Sequence, residues 1–401
     1  MNSCVSQPPA ASRRSSGNAG RLGKAGIFTL LFAATFTVMV GSLITPALPA
    51  IAGELGFTRA PGWLVTLPSL GVVLFSPLAG RILAGIGARA AILVGLLAYG
   101  VFGEGAVFLA FSKVAVLGDR LLLGAATALV MAAGTMLIAE FFDGAERLRM
   151  IAWQGMAIEA GGVVFLALGG VLGSRGWRMP FLLYLLAWAC LLLVWFYVPR
   201  SAAIEREVKP VAGGIANLLP FWIAAFLAMA IFFVAYITLP ITLASSFHLS
   251  EAQTGYFMAF ISLVAVGFAG CLPRVTRVVP ARAVLHLSFL FLGAGELIFA
   301  HARSVPGMLL GAVATGAGFG FSIPLANHLV LETGSPQNRG RDLSSLSMAI
   351  FLGQFVSTFA TVLGASPAQE QSRVGMASLG IGIVALVFSS VYRRGVRARE
   401  R

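Results

Sequence analysis

Apolar residues in this chain come neither in alternation nor in single helical faces. They come in unbroken runs of roughly the length that crosses a bilayer, about 20 residues each. Twelve such runs can be read, at 26–49, 61–81, 90–111, 116–141, 151–173, 179–198, 217–244, 253–273, 283–302, 307–331, 343–364 and 374–392. Short polar segments separate them, and each run predicts a spanning helix. Glycine is frequent inside the runs, as at Gly161-Gly162, Gly169-Gly170 and Gly316, Gly318, Gly320. In water such residues weaken helices; in lipid they let helix backbones approach closely. Pro46, Pro240 and Pro324 fall within or near the ends of runs one, seven and ten, and each predicts a bend.

The pattern repeats. After the fourth run the chain reads Arg147-Leu148-Arg149, with Met156-Ala157 further on. After the tenth it reads Arg339-Gly340-Arg341, with Met348-Ala349 at the same spacing. The same offset carries Gly103-Glu104 onto Gly295-Glu296, and Ile44-Thr45-Pro46 resembles Ile237-Thr238-Leu239-Pro240. Two six-span halves of like orientation, with a substrate site between them, are one known way to build a transporter.

Composition agrees. The chain is 58% hydrophobic and 11% charged over 401 residues, against about 25% charged in a soluble domain. Its mean hydropathy is +0.90. The net charge of +13 could suggest nucleic acid, but its placement argues against that. With the N-terminus taken as cytoplasmic, the outside loops hold Arg59, Lys113, Arg175, Arg178, Arg303 and Arg373. Arg120 lies within a run, and the rest of the 28 Lys and Arg fall inside. This is the positive-inside bias, and it sets both termini in the cytoplasm. Some affinity for anionic lipid is the modest further implication.

The divisions that follow are a Ser-, Gly-, Ala- and Arg-rich tail over 1–25 expected to lack fixed structure, a six-helix bundle over 26–198, a charged cytoplasmic linker over 199–216, a second bundle over 217–392, and a basic tail over 393–401. The first run is too long for a signal-peptide core. Cys4, Cys190 and Cys271 suggest neither a disulfide framework nor a metal site, and no cofactor is expected. The loops leave no room for a soluble catalytic domain.

Local motifs sharpen this. After run two the chain reads Gly80-Arg81-Ile82-Leu83-Ala84-Gly85-Ile86-Gly87-Ala88-Arg89. Run four opens Asp119-Arg120-Leu121-Leu122-Leu123-Gly124, run five holds Glu159 before Gly161-Gly162 and Gly169-Gly170, and Trp177-Arg178 precedes Pro180-Phe181. From about 26 to 392 the chain resembles the major facilitator superfamily, nearest in look to its bacterial drug–proton efflux branch. The resemblance implies twelve helices in two bundles related by a pseudo-two-fold axis. It implies a gate loop carried by Gly80, Gly87 and Arg89, although Ala84 and Gly85 stand where the family has Asp and Arg. It also links Arg120 with proton coupling.

The residues make their own case. A charge in mid-span costs roughly 2.5–3.5 kcal/mol on insertion scales and is functional by default, which singles out Arg120 and Glu159. Burial favours a protonated carboxyl, and an adjacent Arg favours the carboxylate, so Glu159 near Arg120 forms a candidate coupling pair. His328 has the ordinary titration range of a proton switch. Gln154, Tyr236, Asn327, Gln354 and Phe355 are candidate cavity residues, since a pocket for an amphiphile wants apolar walls and few polar anchors. Glu104 and Glu296 read as acids paired within each half.

The expectation is an all-α polytopic protein of the bacterial inner membrane, a monomer that exports a small organic molecule against protons by alternating access. Its partners are that substrate, protons and lipid, with no nucleic acid. Import by proton symport is the alternative. A polytopic membrane enzyme is a poorer reading, because the four His are scattered. ATP-driven pumping fails too, because Gly17–Ala25 only faintly resembles a P-loop and Ala25 stands where the Mg-binding hydroxyl belongs.

The charge bias yields a test. Ser112→Cys is expected to react with an impermeant maleimide added outside intact cells. Reaction only after the membrane is breached would reverse the topology.

Overall fold

The computed structural model describes residues 22–200, 215–335, 338–363 and 366–399. Most of the expected N-terminal tail, the linker segment 201–214 and the last two residues therefore lie outside the described residues. Among those described the chain is helical throughout, with thirteen α-helices and no strand. In order they are α1 (Lys24–Ser42), α2 (Leu48–Glu54), α3 (Gly62–Ile86), α4 (Ala88–Phe108), α5 (Lys113–Phe141), α6 (Gly144–Gly173) and α7 (Leu186–Tyr197) in the first half. The second half holds α8 (Ile215–Phe247), α9 (Glu251–Val278), α10 (Ala281–His301), α11 (Val305–Thr333), α12 (Arg339–Leu363) and α13 (Pro367–Arg399). Eleven of these units are long and apolar enough to span a membrane. The protein is a multi-pass membrane protein, as the apolar pattern predicts.

Two expected spans are not single helices. Run one breaks after Ser42 and resumes as α2 at Leu48, because Pro46 brings no N–H to the ladder and Pro49 suits a helix start. Run six begins as a 3-10 segment, Met179–Leu185, before α7. Pro240 and Pro324, by contrast, lie inside the continuous α8 and α11.

The helix starts show the internal repeat in chemical detail. Ser112 caps α5 by accepting from the Ala115 N–H, and Ser304 caps α11 by accepting from the Gly307 N–H at the corresponding position. Ser250 opens α9 with a full capping box to Gln253.

Within each half, glycine sets the spacing. The α-carbons of Gly71 on α3 and Gly124 on α5 face each other, and a methyl on either would collide with a backbone carbonyl of the partner helix, Leu121 or Pro68. In the second half Gly293 of α10 meets the carbonyl of Gly375 on α13. Hydroxyls supplement this packing: Tyr99 Oη donates to the Phe36 carbonyl at 2.8 Å and Tyr184 Oη to the Val40 carbonyl at 3.1 Å, holding α4 and the 3-10 segment on α1.

The halves meet along α6 with α9 and α3 with α12. Gly170 sits against Gly255 and the Glu251 carbonyl, Gly62 against Ile237, and Trp63 edge-on to Phe355 and Phe359. Thr66 bonds Thr358, and Ser69 Oγ donates to Gln354 Oε1 at 2.6 Å. All of these contacts lie toward the end where α3 and α9 begin. Toward the other end the same helices carry Gly80, Gly85, Gly155, Gly267 and Gly270, beside which a methyl would meet nothing. The contacts between the halves thus gather toward the end where α3 and α9 begin.

Gly124→Leu is expected to lower the melting temperature of purified protein by several degrees, since overpacking costs about 1–3 kcal/mol or more. Gly80→Leu should leave it unchanged, and equal effects on thermal unfolding would refute glycine-set spacing.

Candidate functional site

The candidate cavity residues lie on α6, α8, α11 and α12. Glu159 is half-buried on α6, within electrostatic reach of the Tyr236 hydroxyl of α8. Ser42, where α1 ends, donates to the Val38 carbonyl of its own helix at 2.8 Å. Glu159 makes no ion pair among the described residues. Around Tyr236 stands an aromatic cluster: Phe232 stacks on Phe319 at 4.0 Å and Phe233 on Tyr236 at 4.8 Å between centroids. Gln354 accepts from Ser69 and turns its amide toward Met229 Sδ at 3.8 Å, while Phe355 packs on Trp63. Gln154 lies half-buried on the same helix as Glu159.

Arg120 is elsewhere. It is fully buried inside the first half. Its guanidinium pairs with Asp119 at 2.7 Å and donates to the carbonyls of Phe102 at 2.6 Å and Gly103 at 2.9 Å. It also lies over the rings of Phe181 and Tyr184, at 5.5 and 5.6 Å. It clamps α4, α5 and the 3-10 segment together, and Asp119 is the partner that sequence reading passed over. Asp119 precedes Arg120 directly, so helical spacing alone gave no sign that the two side chains meet. The structure does not bring Arg120 to Glu159.

His328 is exposed on α11, with only Glu332 at 3.8 Å. Asn327 donates to the Ile323 carbonyl of its own helix at 3.1 Å. In the gate loop Gly87 takes a φ of 79°, the left-handed region that favours glycine. Gly80 is free of neighbours. Arg89 donates to the Val198 carbonyl at 2.6 Å and the Trp195 carbonyl at 2.8 Å, with its guanidinium over the Trp195 ring. It caps the end of α7 within the first half and does not reach across to the second. Glu104 feels the charge of Arg120; Glu296 does not share that arrangement. No cluster of metal-ligating side chains occurs among the described residues.

Residues 30–358 and 221–398 match the model of the Major Facilitator Superfamily. Among characterised relatives, Multidrug resistance protein 1 of Bacillus subtilis is 28% identical over 214 residues, covering 51% of this chain and 54% of that one. Quinolone resistance protein NorA of Staphylococcus aureus is 27% identical over 237 residues, 57% of each. The matched stretch thus spans about half the length of these curated relatives. The fold is shared with the human organic anion transporter MFSD10 (TM-score 0.66, 18% identity, covering 90% of this chain and 98% of that one). It is shared also with a D-xylose-proton symporter (TM-score 0.70, 18% identity, 91% and 95%).

The clamp makes a prediction. Arg120→Ala strands a buried carboxylate and is expected to cost about 3–5 kcal/mol. Arg120→Lys, lacking the planar fork, should restore only part of this. Thermal denaturation of purified protein measures both; unchanged stability in Arg120→Ala would remove the clamp.

Proposed function

The chain belongs to the major facilitator superfamily, and from that premise we propose that it is a proton-coupled exporter of a small amphiphilic organic molecule such as a drug, siderophore or other metabolite. The carrying observation is Glu159. It is half-buried on α6, it has no ion-pair partner among the described residues, and it lies within electrostatic reach of Tyr236 on α8. An acid there exchanges its proton with whichever side the cavity opens to. Its environment depends on how the halves sit, which gives the two states different proton affinities. A ligand shifts an equilibrium only by such differential affinity.

The substrate space fits the reading. The aromatic walls of Phe232, Phe233, Tyr236 and Phe319 offer large apolar faces, and Glu159 and Gln354 offer an anion and an amide. That combination suits a flat, apolar, often cationic molecule, in keeping with the names of the two bacterial relatives. With both termini in the cytoplasm, as the charge bias predicts, the end away from the inter-half contacts faces the cytoplasm. The conformation then is the one that loads substrate for export across the bacterial inner membrane. Protonation of Glu159 from outside would displace such a cation, and release of the proton inside would reset the site.

Ethidium serves as probe. Inverted vesicles holding the protein should accumulate it when a proton gradient is imposed, and Glu159→Gln should abolish this. Full gradient-driven uptake by Glu159→Gln would end the proposal for that residue. Uptake only into right-side-out vesicles would replace export with import.

A further inference from the structure

Glu296 on α10 has no exposed surface, and neither of its carboxyl oxygens has a hydrogen-bond partner. The carboxyl lies against the backbone of Ala235 on α8. Two more fully buried oxygens near this turn of α8 are also without partners. One is Thr315 Oγ1 on α11. It packs on Gly295, the residue before Glu296, and Thr315 borders the same small void as Ala235 and Tyr236. The other is Gln371 Oε1 on α13; the amide nitrogen of Gln371 donates at 2.9 Å to Thr238 Oγ1, one turn along α8 from Ala235. Three helices thus bring a carboxylate, a hydroxyl oxygen and an amide oxygen to one turn of a fourth.

Donors are scarce at this turn. Gln371 directs its nitrogen to Thr238, and Thr238 directs its hydroxyl to the Val234 carbonyl at 2.8 Å. Pro240 has no N–H to give the Tyr236 carbonyl. Thr66 and Thr127 donate to the carbonyl four residues back in their own helices, and Thr315 does not. A proton on Glu296 would serve one of these acceptors and leave the others. A cation serves several at once.

The internal repeat points the same way. Glu104 is the counterpart of Glu296 in the first half, and it feels the charge of Arg120. At the positions that correspond to Asp119-Arg120 the second half reads Gly311-Ala312. No ion pair to Glu296 occurs among the described residues, and a carboxylate buried without a counter-charge is strongly destabilising. One carboxylate calls for one positive charge, since a divalent ion would leave an excess among apolar helices. The donors are one acid with neutral oxygens, not a group of His, Cys, Asp and Glu, and such oxygens suit a hard ion. Helices α10 and α13 approach glycine to carbonyl at Gly293 and Gly375, which favours a small one.

We propose that Glu296, Thr315 and Gln371 form a sodium site inside the second bundle. The ion supplies there the positive charge that Arg120 supplies in the first, and ties α10, α11 and α13 together. It stays with the bundle and takes no part in the exchange of substrate for protons, so the site stands or falls independently of Glu159.

The test uses the purified full-length protein in lipid nanodiscs, prepared in choline chloride and titrated with sodium chloride at constant ionic strength. The melting temperature should rise by several degrees and keep rising with the logarithm of sodium concentration, as binding to the folded form alone requires. Radioactive sodium should bind to the same preparation. Glu296→Gln removes the charge at nearly constant shape and should abolish both effects. Thr315→Val and Gln371→Leu keep the carboxylate and each remove one oxygen. Either should weaken sodium binding about tenfold or more, the loss typical even of groups that only orient a metal's ligands, and they serve if Glu296→Gln does not fold. Glu104→Gln should bind sodium as the unaltered protein does. No rise over choline, a rise that survives in Glu296→Gln, or unchanged binding in both Thr315→Val and Gln371→Leu overturns the proposal. So does an infrared band of a protonated carboxyl that persists in saturating sodium at neutral pH and that Glu296→Gln removes.

Discussion

Lipid offers no hydrogen bonds and no hydrophobic drive for one helix to join another, and this constraint governs the whole molecule. Backbone groups must be satisfied within helices. Association must come from close packing. The close packing is supplied by glycine against carbonyl, within halves at Gly71–Gly124 and Gly293–Gly375, and between halves at Gly170–Gly255. The two uses differ in what surrounds them. Inside the first half, glycine contacts are reinforced by a buried clamp at Arg120 and by tyrosine hydroxyls that bind distant carbonyls. Between the halves, among the described residues, hydroxyl and amide bonds at Thr66 and Ser69 and the edge-on ring of Trp63 are added. A seam of that kind can part without unfolding either bundle, and alternating access requires that.

Much of this was legible in the chain. The apolar runs located the spans, because span length is set by the bilayer and not by tertiary detail. The break in run one was half legible: Pro46 predicted a bend, and the chain stops its helix altogether between Ser42 and Leu48. The direction of a charged side chain was not legible. Arg120 is a buried charge in a span, as read, yet it faces α4 carbonyls and its own neighbour Asp119, away from the inter-half space. Arg89 sits in the gate loop as read, and in this conformation it serves as a cap for α7. A one-dimensional pattern gives depth in the membrane well and azimuth poorly, since rotating a helix by a third of a turn changes its neighbours without changing its hydropathy.

Internal repetition carries information through its failures as well as its matches. Ser112 and Ser304 cap equivalent helices, and Glu104 and Glu296 occupy equivalent helices too. A duplicated scaffold keeps what packing and capping demand. Where the copies differ at a charge, packing alone does not account for the difference, because a charge without its partner is among the costliest things to bury. Arg120 pairs with Asp119 and holds three elements together. At the offset position the second half reads Gly311-Ala312, so α10 and α11 pack without a counterpart of that clamp, by glycine against the Phe299 ring and the Thr315 side chain instead.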